Sequence, residues 1–113
     1  MVYKVRRAKE VTRDFDIIED YLVRSYQGFG EDLDEAVMKA VARVEEAQAY
    51  IRTFSVHPHR GTENLAIRPG LRTVTSNRFI FYFEIDEPLS EVRVLAVFFG
   101  GTDHQSRIGD RLS

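Results

Sequence analysis

The sequence predicts an α+β fold with an N-terminal strand, an antiparallel helical hairpin and a C-terminal antiparallel sheet. Between residues 11 and 54, apolar side chains recur every three or four positions, as they do in helices with one buried face. After residue 70 the pattern changes to nearly continuous apolar runs between turn residues, which is typical of central strands. Strand, then two helices, then several strands favours helices packed against an antiparallel sheet.

The stretch VYKVRR alternates apolar and polar residues and predicts the first strand. Two apolar stripes predict the helices, the first at Val11, Phe15, Ile18, Leu22 and Tyr26, and the second running from Leu33 to Phe54. Gly28 and Gly30 stand between the two stripes and break the helical pattern. Because this link is short, the two helices are expected to form an antiparallel hairpin.

Four segments after the helices are predicted as strands, at residues 65–68, 71–75, 78–85 and 92–99. Pro69-Gly70 suits the centre of a type II turn, and Ser76-Asn77 offers a tight hairpin connection. A single domain is expected over residues 1–103. The polar residues 104–113 are expected to form a flexible tail.

Composition limits the classes of function. The 113 residues suit one domain, and 43% apolar with 30% charged residues is too apolar for a disordered chain. A net charge of -2 gives no overall attraction to nucleic acid or to an anionic membrane. The absence of cysteine excludes disulfides and thiolate chemistry. The charged stretch MVYKVRRAKEV is unlike a secretory signal, and no apolar run is long enough to span a membrane, so a cytoplasmic protein is expected.

Local charge is less even than the total. Between residues 57 and 78 four arginines stand against one glutamate, Glu63, and the arginines are Arg60, Arg68, Arg72 and Arg78. Such asymmetry indicates a basic face on an otherwise acidic molecule, although exposed arginines are more often merely solvated.

The loop SVHPHRGTE contains His57 and His59, which could contribute to a metal site together with Glu63. Pro58 lies between the two histidines, and cysteine is absent. This pattern favours an exposed structural loop, so neither a metal nor another cofactor is expected.

Three stretches carry a family resemblance: DFDIIEDYLVRSY, RPGLRTVTSNRFIFYFEID and VRVLAVFFGGTD. In their order over residues 2–103 they resemble the RelE/ParE superfamily, and specifically the ParE-like toxins of bacterial toxin–antitoxin modules. The family pattern in the middle stretch is matched by Gly70, Leu71, Arg72, Arg78, Phe79, Ile80, Phe81 and Tyr82. At the end of the last strand Gly100 and Asp103 match, but Phe99 stands where the family usually has a histidine, and Thr102 where it has a basic residue.

The resemblance implies a toxin that binds and inhibits DNA gyrase and serves in plasmid stabilisation. It also implies a ParD-like ribbon-helix-helix antitoxin that neutralises the toxin within a hetero-oligomer. The alternative within the superfamily is a RelE-like ribosome-dependent mRNA endonuclease. A non-toxic module that only binds its antitoxin is a third class.

Metal-free RNA cleavage needs a general base, a general acid and cations that stabilise the charge developing on the phosphate. Arg72 and Arg78 are candidates for the cations, and His104 is the histidine nearest to the end of the last strand. The place of the family's catalytic histidine is taken by Phe99. The sequence therefore favours action by binding over catalysis.

Two surfaces are predicted on this basis. The antitoxin-binding surface is assigned to Arg60, Arg68, Arg72 and Arg78. The target-binding surface is assigned to the end of the last strand and the tail, at Phe99, Asp103, His104 and Arg107. Because strand side chains alternate, Phe98 and Phe99 are expected on opposite faces of the sheet.

Overall fold

The computed structural model describes residues 2–101 and 103–113. Its elements follow the predicted α+β order: β1 (Lys4–Arg7), α1 (Glu10–Gly28), α2 (Leu33–Arg52) with a 3-10 turn (Thr53–Ser55), β2 (Thr62–Glu63), β3 (Leu71–Ser76), β4 (Phe79–Asp86), β5 (Glu91–Phe99) and α3 (His104–Leu112). Within the described part of the chain, no helix combines the length and the apolar character needed to cross a bilayer.

The helical hairpin forms where the sequence predicts it. Gly30 has a φ of 98°, in the left-handed region that favours glycine, and it turns the chain between α1 and α2. Asp32 then caps α2, because its Oδ1 accepts a hydrogen bond from the backbone N–H of Glu35 at 2.9 Å. A capped start and a glycine turn therefore define the hairpin locally.

The sheet has five strands in the order β1-β5-β4-β3-β2. β1 pairs with β5 in parallel, and the other neighbours are antiparallel. The β3–β4 connection consists of Asn77 and Arg78 with φ of 52° and 71°, one position later than predicted. Positive φ at both positions is what a tightly twisted two-residue hairpin requires.

The prediction of a strand at residues 65–68 is wrong. The backbone N–H groups of Ile67 and Arg68 both donate to the carbonyl of Asn64, at 3.2 Å each, so the chain coils there instead of pairing. The short strand β2 lies earlier, at Thr62–Glu63. The turn at Pro69-Gly70 is as predicted, since the Leu71 N–H donates to the Arg68 carbonyl at 3.2 Å and Gly70 has a φ of 83°.

The main core lies between the sheet and the helical hairpin. Its buried members on the strands are Phe79, Phe81, Phe83, Val92, Val94, Val97 and Phe99, and those on the helices include Val11, Phe15, Ile18, Leu22, Val44 and Ile51. A β-bulge between β4 and β5 pairs Tyr82 with Ala96 but Phe83 with Val94. The bulge leaves Leu95 as the extra residue, so β5 keeps apolar side chains on both faces.

The expectation of a flexible tail at residues 104–113 is also wrong. These residues form α3, which covers the face of the sheet opposite the hairpin. Ile108 is completely buried in a second apolar cluster that also contains Tyr82 and Phe98, and Leu112 packs against the same cluster. The sequence pattern did not predict this helix because the segment is short and mostly polar. Its only apolar residues facing the sheet are Ile108 and Leu112, which lie one helical turn apart.

A partly buried ion pair fastens α3 to the rest of the chain. Asp14 on α1 is 5% exposed, and its two oxygens accept from Arg111 Nη1 and Nη2 at 2.8 and 2.7 Å. Asp14 also accepts the backbone N–H of Val97 at 3.0 Å, while Arg111 donates to the carbonyl of Leu95 at 3.2 Å. One carboxylate thus ties together α1, β5 and α3.

The first prediction concerns this clamp. Asp14→Ala should lower the free energy of unfolding by about 2 kcal/mol, because it leaves a charged donor and a buried N–H without an acceptor. The loss should be smaller than for a fully buried pair, since the Arg111 side chain is 27% exposed. Urea denaturation followed by circular dichroism measures the change.

Asp20→Ala is the matched control, because Asp20 is exposed on the same helix. It should change the stability by no more than about 0.5 kcal/mol. Equal losses in the two variants would contradict the clamp.

Candidate functional site

Arg72 is assigned to the antitoxin surface, but its guanidinium is hydrogen-bonded to backbone carbonyls of the preceding loop. Its Nη2 donates to the carbonyls of His59 at 2.7 Å and Gly61 at 3.2 Å, and its Nε donates to the carbonyl of Arg60 at 3.2 Å. The side chain is only 17% exposed, and its nearest acid, Glu63, lies 4.0 Å away. Arg72 therefore holds the loop against β3 through charge-assisted hydrogen bonds.

Arg60 lies at the end of the same loop, against aromatic rings. Its guanidinium carbon is 4.7 Å from the ring centre of Tyr50 and 5.1 Å from that of Phe54. At these distances the cation is attracted to the faces of both rings. Its Nε also donates to the carbonyl of His57 at 3.0 Å.

Arg68 belongs to a ladder of alternating charges on the α3 side of the sheet. The ladder runs from Arg68 to Glu84 at 2.6 Å, to Arg93 at 3.5 Å, to Glu91 at 3.6 Å and to Arg6 at 2.7 Å. Each acid in this ladder lies between two arginines. Its positive charge is therefore partly balanced within the chain.

Arg78 lies apart from the other three, at the opposite end of β3. Its guanidinium carbon is 5.1 Å from the ring centre of Phe99, and Arg43 approaches the same ring to 5.0 Å. Gly100 has a φ of 70°, and a Cβ there would lie 3.1 Å from Nη2 of Arg78. Within residues 2–101 and 103–113, Arg78 forms no ion pair. The four predicted arginines therefore do not form one continuous patch.

The residues assigned to the target surface lie at the end of β5 and at the start of α3. Phe99 is buried at 6% exposure in the main core, and Phe98 is buried on the other face, as the alternation predicts. Asp103 caps α3 by accepting the N–H of Ser106 at 3.4 Å, and Arg107 is exposed one turn later. The substitution at Thr102 lies outside the described residues.

His104 is paired with a buried tyrosine. Its Nδ1 lies 2.6 Å from the hydroxyl of Tyr82, a fully buried residue of β4. Burial raises the pKa of Tyr82, so the phenol is held in its protonated form. Tyr82 faces α3, whereas Arg72, which pairs with Phe83, shares the hairpin side of the sheet. Arg72, Arg78 and His104 therefore do not converge on one point.

The two loop histidines are exposed. The Nε2 atom of His59 lies 2.8 Å from Oε1 of Glu87, and the Tyr3 hydroxyl donates to Oε2 of the same carboxylate at 2.8 Å. The hydrogen bonds from Tyr3 and then from His59 lower the pKa of Glu87. Over the described residues, no group of three or more acidic, His or Cys side chains is placed to hold a metal ion.

A groove of about 710 Å³ opens beside the end of β5. Three elements line it, and the lining residues are Asp14, Ile17, Ile18, Tyr21 and Arg24 of α1, Val97 to Phe99 of β5, Gly101, and Arg107, Asp110 and Arg111 of α3. Ile17 and Tyr21 are 52% and 50% exposed, so they add apolar surface to the wall of the groove. The tyrosine ring lies 6.0 Å from the ring of Phe99.

The sequence predicted functional roles for Phe99 and Arg107, which line this groove. It did not predict that residues of α1 such as Ile17 and Tyr21 line it as well. A signal was present in Asp14, which interrupts the apolar stripe between Val11 and Phe15. An acid on a buried helical face needs a partner, and it points to a cation elsewhere in the chain. Ile17 and Tyr21 lie beside the stripe and carry no comparable signal.

The sheet with its helical hairpin has the fold of the RelE/ParE toxins. It is similar to a solved structure of the chromosomal ParDE toxin–antitoxin system from P. aeruginosa, with a TM-score of 0.67 and 18% identity over 87% of this chain and 96% of that one. It is also similar to the RelBE2 toxin–antitoxin complex from Mycobacterium tuberculosis, with a TM-score of 0.55 and 17% identity over 88% of this chain and 100% of that one. No protein-family model and no curated protein matches the sequence.

The second prediction tests the structural role of Arg72. Arg72→Ala should lower the free energy of unfolding by about 1–3 kcal/mol, because three carbonyl groups lose a charged donor. Arg13→Ala, at an exposed position of α1, is the control and should lie within about 0.5 kcal/mol of the parent protein. Guanidinium denaturation measures the free energy of unfolding of both variants. An unchanged denaturation midpoint for Arg72→Ala would contradict the structural role of Arg72.

The third prediction concerns pH. Because the folded chain raises the pKa of Tyr82 above 10.0, the unfolded chain loses this proton first as the pH rises. Stability should therefore be full below about pH 10 and should fall above it. Tyr82→Phe removes the titrating group, so its stability should fall less steeply in that alkaline range.

Denaturant titrations of both proteins at a series of pH values measure the two slopes. The difference in the free energy of unfolding between the two proteins at neutral pH is the reference value. It is not zero, because Tyr82→Phe also removes the hydrogen bond to His104. Parallel alkaline slopes would show that Tyr82 does not carry the effect.

Proposed function

We propose that this protein is the toxin component of a type II toxin–antitoxin system, which binds and inhibits DNA gyrase and is neutralised by a ParD-like antitoxin. The observation that carries the proposal is a RelE/ParE toxin fold whose last strand ends in a buried Phe99. Action on gyrase would place the protein in the cytoplasm, and such a module would serve in plasmid stabilisation.

The geometry of the titratable groups supports binding over catalysis. General acid–base catalysis requires the acid and the base to lie within hydrogen-bond reach of the reacting atoms. His104 instead contacts the buried Tyr82, while Arg72 is engaged by loop carbonyls on the other side of the sheet. His104 and Arg72 therefore do not place an acid and a base next to Arg78, where a substrate phosphate would bind.

The surface that would bind the antitoxin differs from the set of four arginines predicted from the sequence. Among the four predicted arginines, Arg78 has the guanidinium with the fewest internal partners, whereas Arg68 and Arg72 are paired or hydrogen-bonded within the chain. A charge reversal at Arg72 would therefore disturb the loop as well as an interface. Arg78→Glu is the cleaner test of the electrostatic attraction.

The alternative function is a RelE-like ribosome-dependent mRNA endonuclease. One observation favours it: His104 is only partly buried and lies next to a phenol, so a histidine and a second proton-carrying group are adjacent. In that mechanism His104 would move a proton while Arg78 stabilised negative charge.

The fourth prediction separates the two functions. The purified protein should inhibit supercoiling by DNA gyrase and should leave mRNA intact in a translating extract. His57→Ala, His59→Ala and His104→Ala should each still arrest growth on induction, because no histidine transfers a proton in a binding mechanism and no single one of them should be indispensable. Circular dichroism confirms that each variant is folded.

Growth arrest lost in His104→Ala alone, together with mRNA cleavage by the parent protein, would overturn the binding proposal and establish the nuclease. Loss of arrest in none of the variants, without any effect on gyrase, would point to another target for binding.

A further inference from the structure

Two guanidinium groups from different elements converge on the ring of Phe99. The guanidinium carbon of Arg43 on α2 lies 5.0 Å from the ring centre, and that of Arg78 in the β3–β4 turn lies 5.1 Å from it. Because each lies about 5 Å from the same ring centre, the two charges are at most about 10 Å apart and repel each other. Attraction to the ring offsets only part of this repulsion. Over residues 2–101 and 103–113, neither arginine forms an ion pair.

Arg43 is held in position by uncharged groups. Its Nη1 donates to the hydroxyl of Tyr26 at 3.4 Å, and its Nη2 donates to the carbonyl of Asn77 at 2.9 Å. Its Nε is buried and has no acceptor among the described residues. The carboxylate of Glu46 accepts a hydrogen bond from the side chain of Asn77 at 3.3 Å, and not from either guanidinium. The Arg43 guanidinium is therefore oriented by its neighbours without being neutralised by them.

Arg78 occupies a strained position of the backbone. Its φ is 71°, at the second place of a two-residue hairpin where glycine is usually found. Any other residue adopts this conformation at an energetic cost. Gly100 leaves space for the guanidinium, since a Cβ there would lie 3.1 Å from Nη2 of Arg78. Within the described part of the chain, the guanidinium donates no hydrogen bond that would offset the strain. Strain of this kind is typical of functional positions.

The pair of arginines suits a phosphate group better than a carboxylate. A guanidinium fork binds either anion through two parallel hydrogen bonds. A carboxylate has two oxygens in one plane, so one fork occupies both. A phosphate has several acceptor oxygens that point in different directions, and it carries more negative charge. It can therefore accept hydrogen bonds from two guanidinium groups at the same time.

We propose that Arg43 and Arg78 form a phosphate-binding site beside Phe99. Arg43 provides the fixed side of the site, and the exposed Arg78 provides the side that adjusts to the bound group. A phosphate between them relieves the repulsion of the two like charges. The site goes beyond the proposed function, which requires no phosphate. It also includes neither Arg72 nor His104, the other groups considered for RNA cleavage.

The phosphate could be free or part of a nucleic-acid strand, because the site adjoins two open surfaces. The groove of about 710 Å³ contains Phe99, and its lining includes Arg24 and Arg107. A smaller cleft of about 290 Å³ is lined in part by Asn77 and Phe79. A phosphodiester in a strand offers the same oxyanion as a free phosphate. In a strand, the neighbouring phosphates would also reach the arginines of the groove.

The fifth prediction uses inorganic phosphate as the probe. The isotope-labelled full chain is titrated with sodium phosphate at constant pH and constant ionic strength, with sodium chloride as the balancing salt, and is followed by NMR. The Nε–H signal of Arg43 and the backbone amide signal of Gly100 should shift along one saturable curve, because both groups lie at the site. The Nε–H signal of Arg72 is the control. Arg72 is bonded to loop carbonyls at the opposite end of β3, so its signal should not shift.

Two variants provide the second measurement. Arg78→Gln removes one of the two cations at an exposed position, and it should weaken phosphate binding by at least about tenfold. Arg13→Gln removes the same charge from an exposed position of α1, and it should change the affinity by less than about twofold. Circular dichroism confirms that both variants are folded.

A single-stranded thymidine oligonucleotide of about ten residues distinguishes the two sources of phosphate. If the natural ligand is a nucleic-acid strand, the oligonucleotide should bind at least about tenfold more tightly than inorganic phosphate. Arg107→Gln should then weaken binding of the oligonucleotide but not that of inorganic phosphate. Equal affinities, with no effect of Arg107→Gln, would identify a free phosphate as the ligand. Either result supports the phosphate site.

Shifts that do not saturate, or an affinity that falls equally in Arg78→Gln and Arg13→Gln, would show that phosphate only screens the surface charge and would overturn the site. Neither outcome bears on the toxin function, because inhibition of gyrase by the parent protein is measured separately.

Discussion

The carboxylate of Asp14 is the constraint on which the C-terminal half of the architecture depends. It receives both terminal nitrogens of Arg111 and the N–H of Val97, so it joins one helix, one strand and a second helix from opposite faces of the sheet. The two hydrogen bonds from Arg111, in which both partners are charged, are stronger than bonds between neutral groups. The same contact raises the pKa of Arg111, since the carboxylate stabilises the protonated guanidinium.

Fastening α3 changes the sheet from one covered face to two. Phe98 then packs with Tyr82 and Ile108 while Phe99 packs with the hairpin, and two adjacent aromatic residues are both buried. The end of β5 is consequently packed against apolar side chains on both faces.

Most of the positive charge that marks the sequence is used internally. Arg72 holds a loop, Arg68 is part of an ion ladder, and Arg60 lies on aromatic rings. Arginine serves such roles well because its planar fork binds several acceptors at once and also stacks on rings. Arg78 and Arg107, which form no ion pair within the described part of the chain, both lie near Phe99 at the end of β5.

The sequence by itself determined the α+β order, the hairpin with its glycine turn and the alternation of Phe98 and Phe99, because each depends on neighbours close in the chain. Its apolar pattern also identified β4 and β5 as central strands. Only the tertiary structure decided that residues 104–113 form a docked helix, that Arg72 faces inward, and that α1 and α3 enclose a groove. These features depend on contacts such as Arg111 with Asp14, which lie 97 residues apart, and no local periodicity reports a partner at that distance.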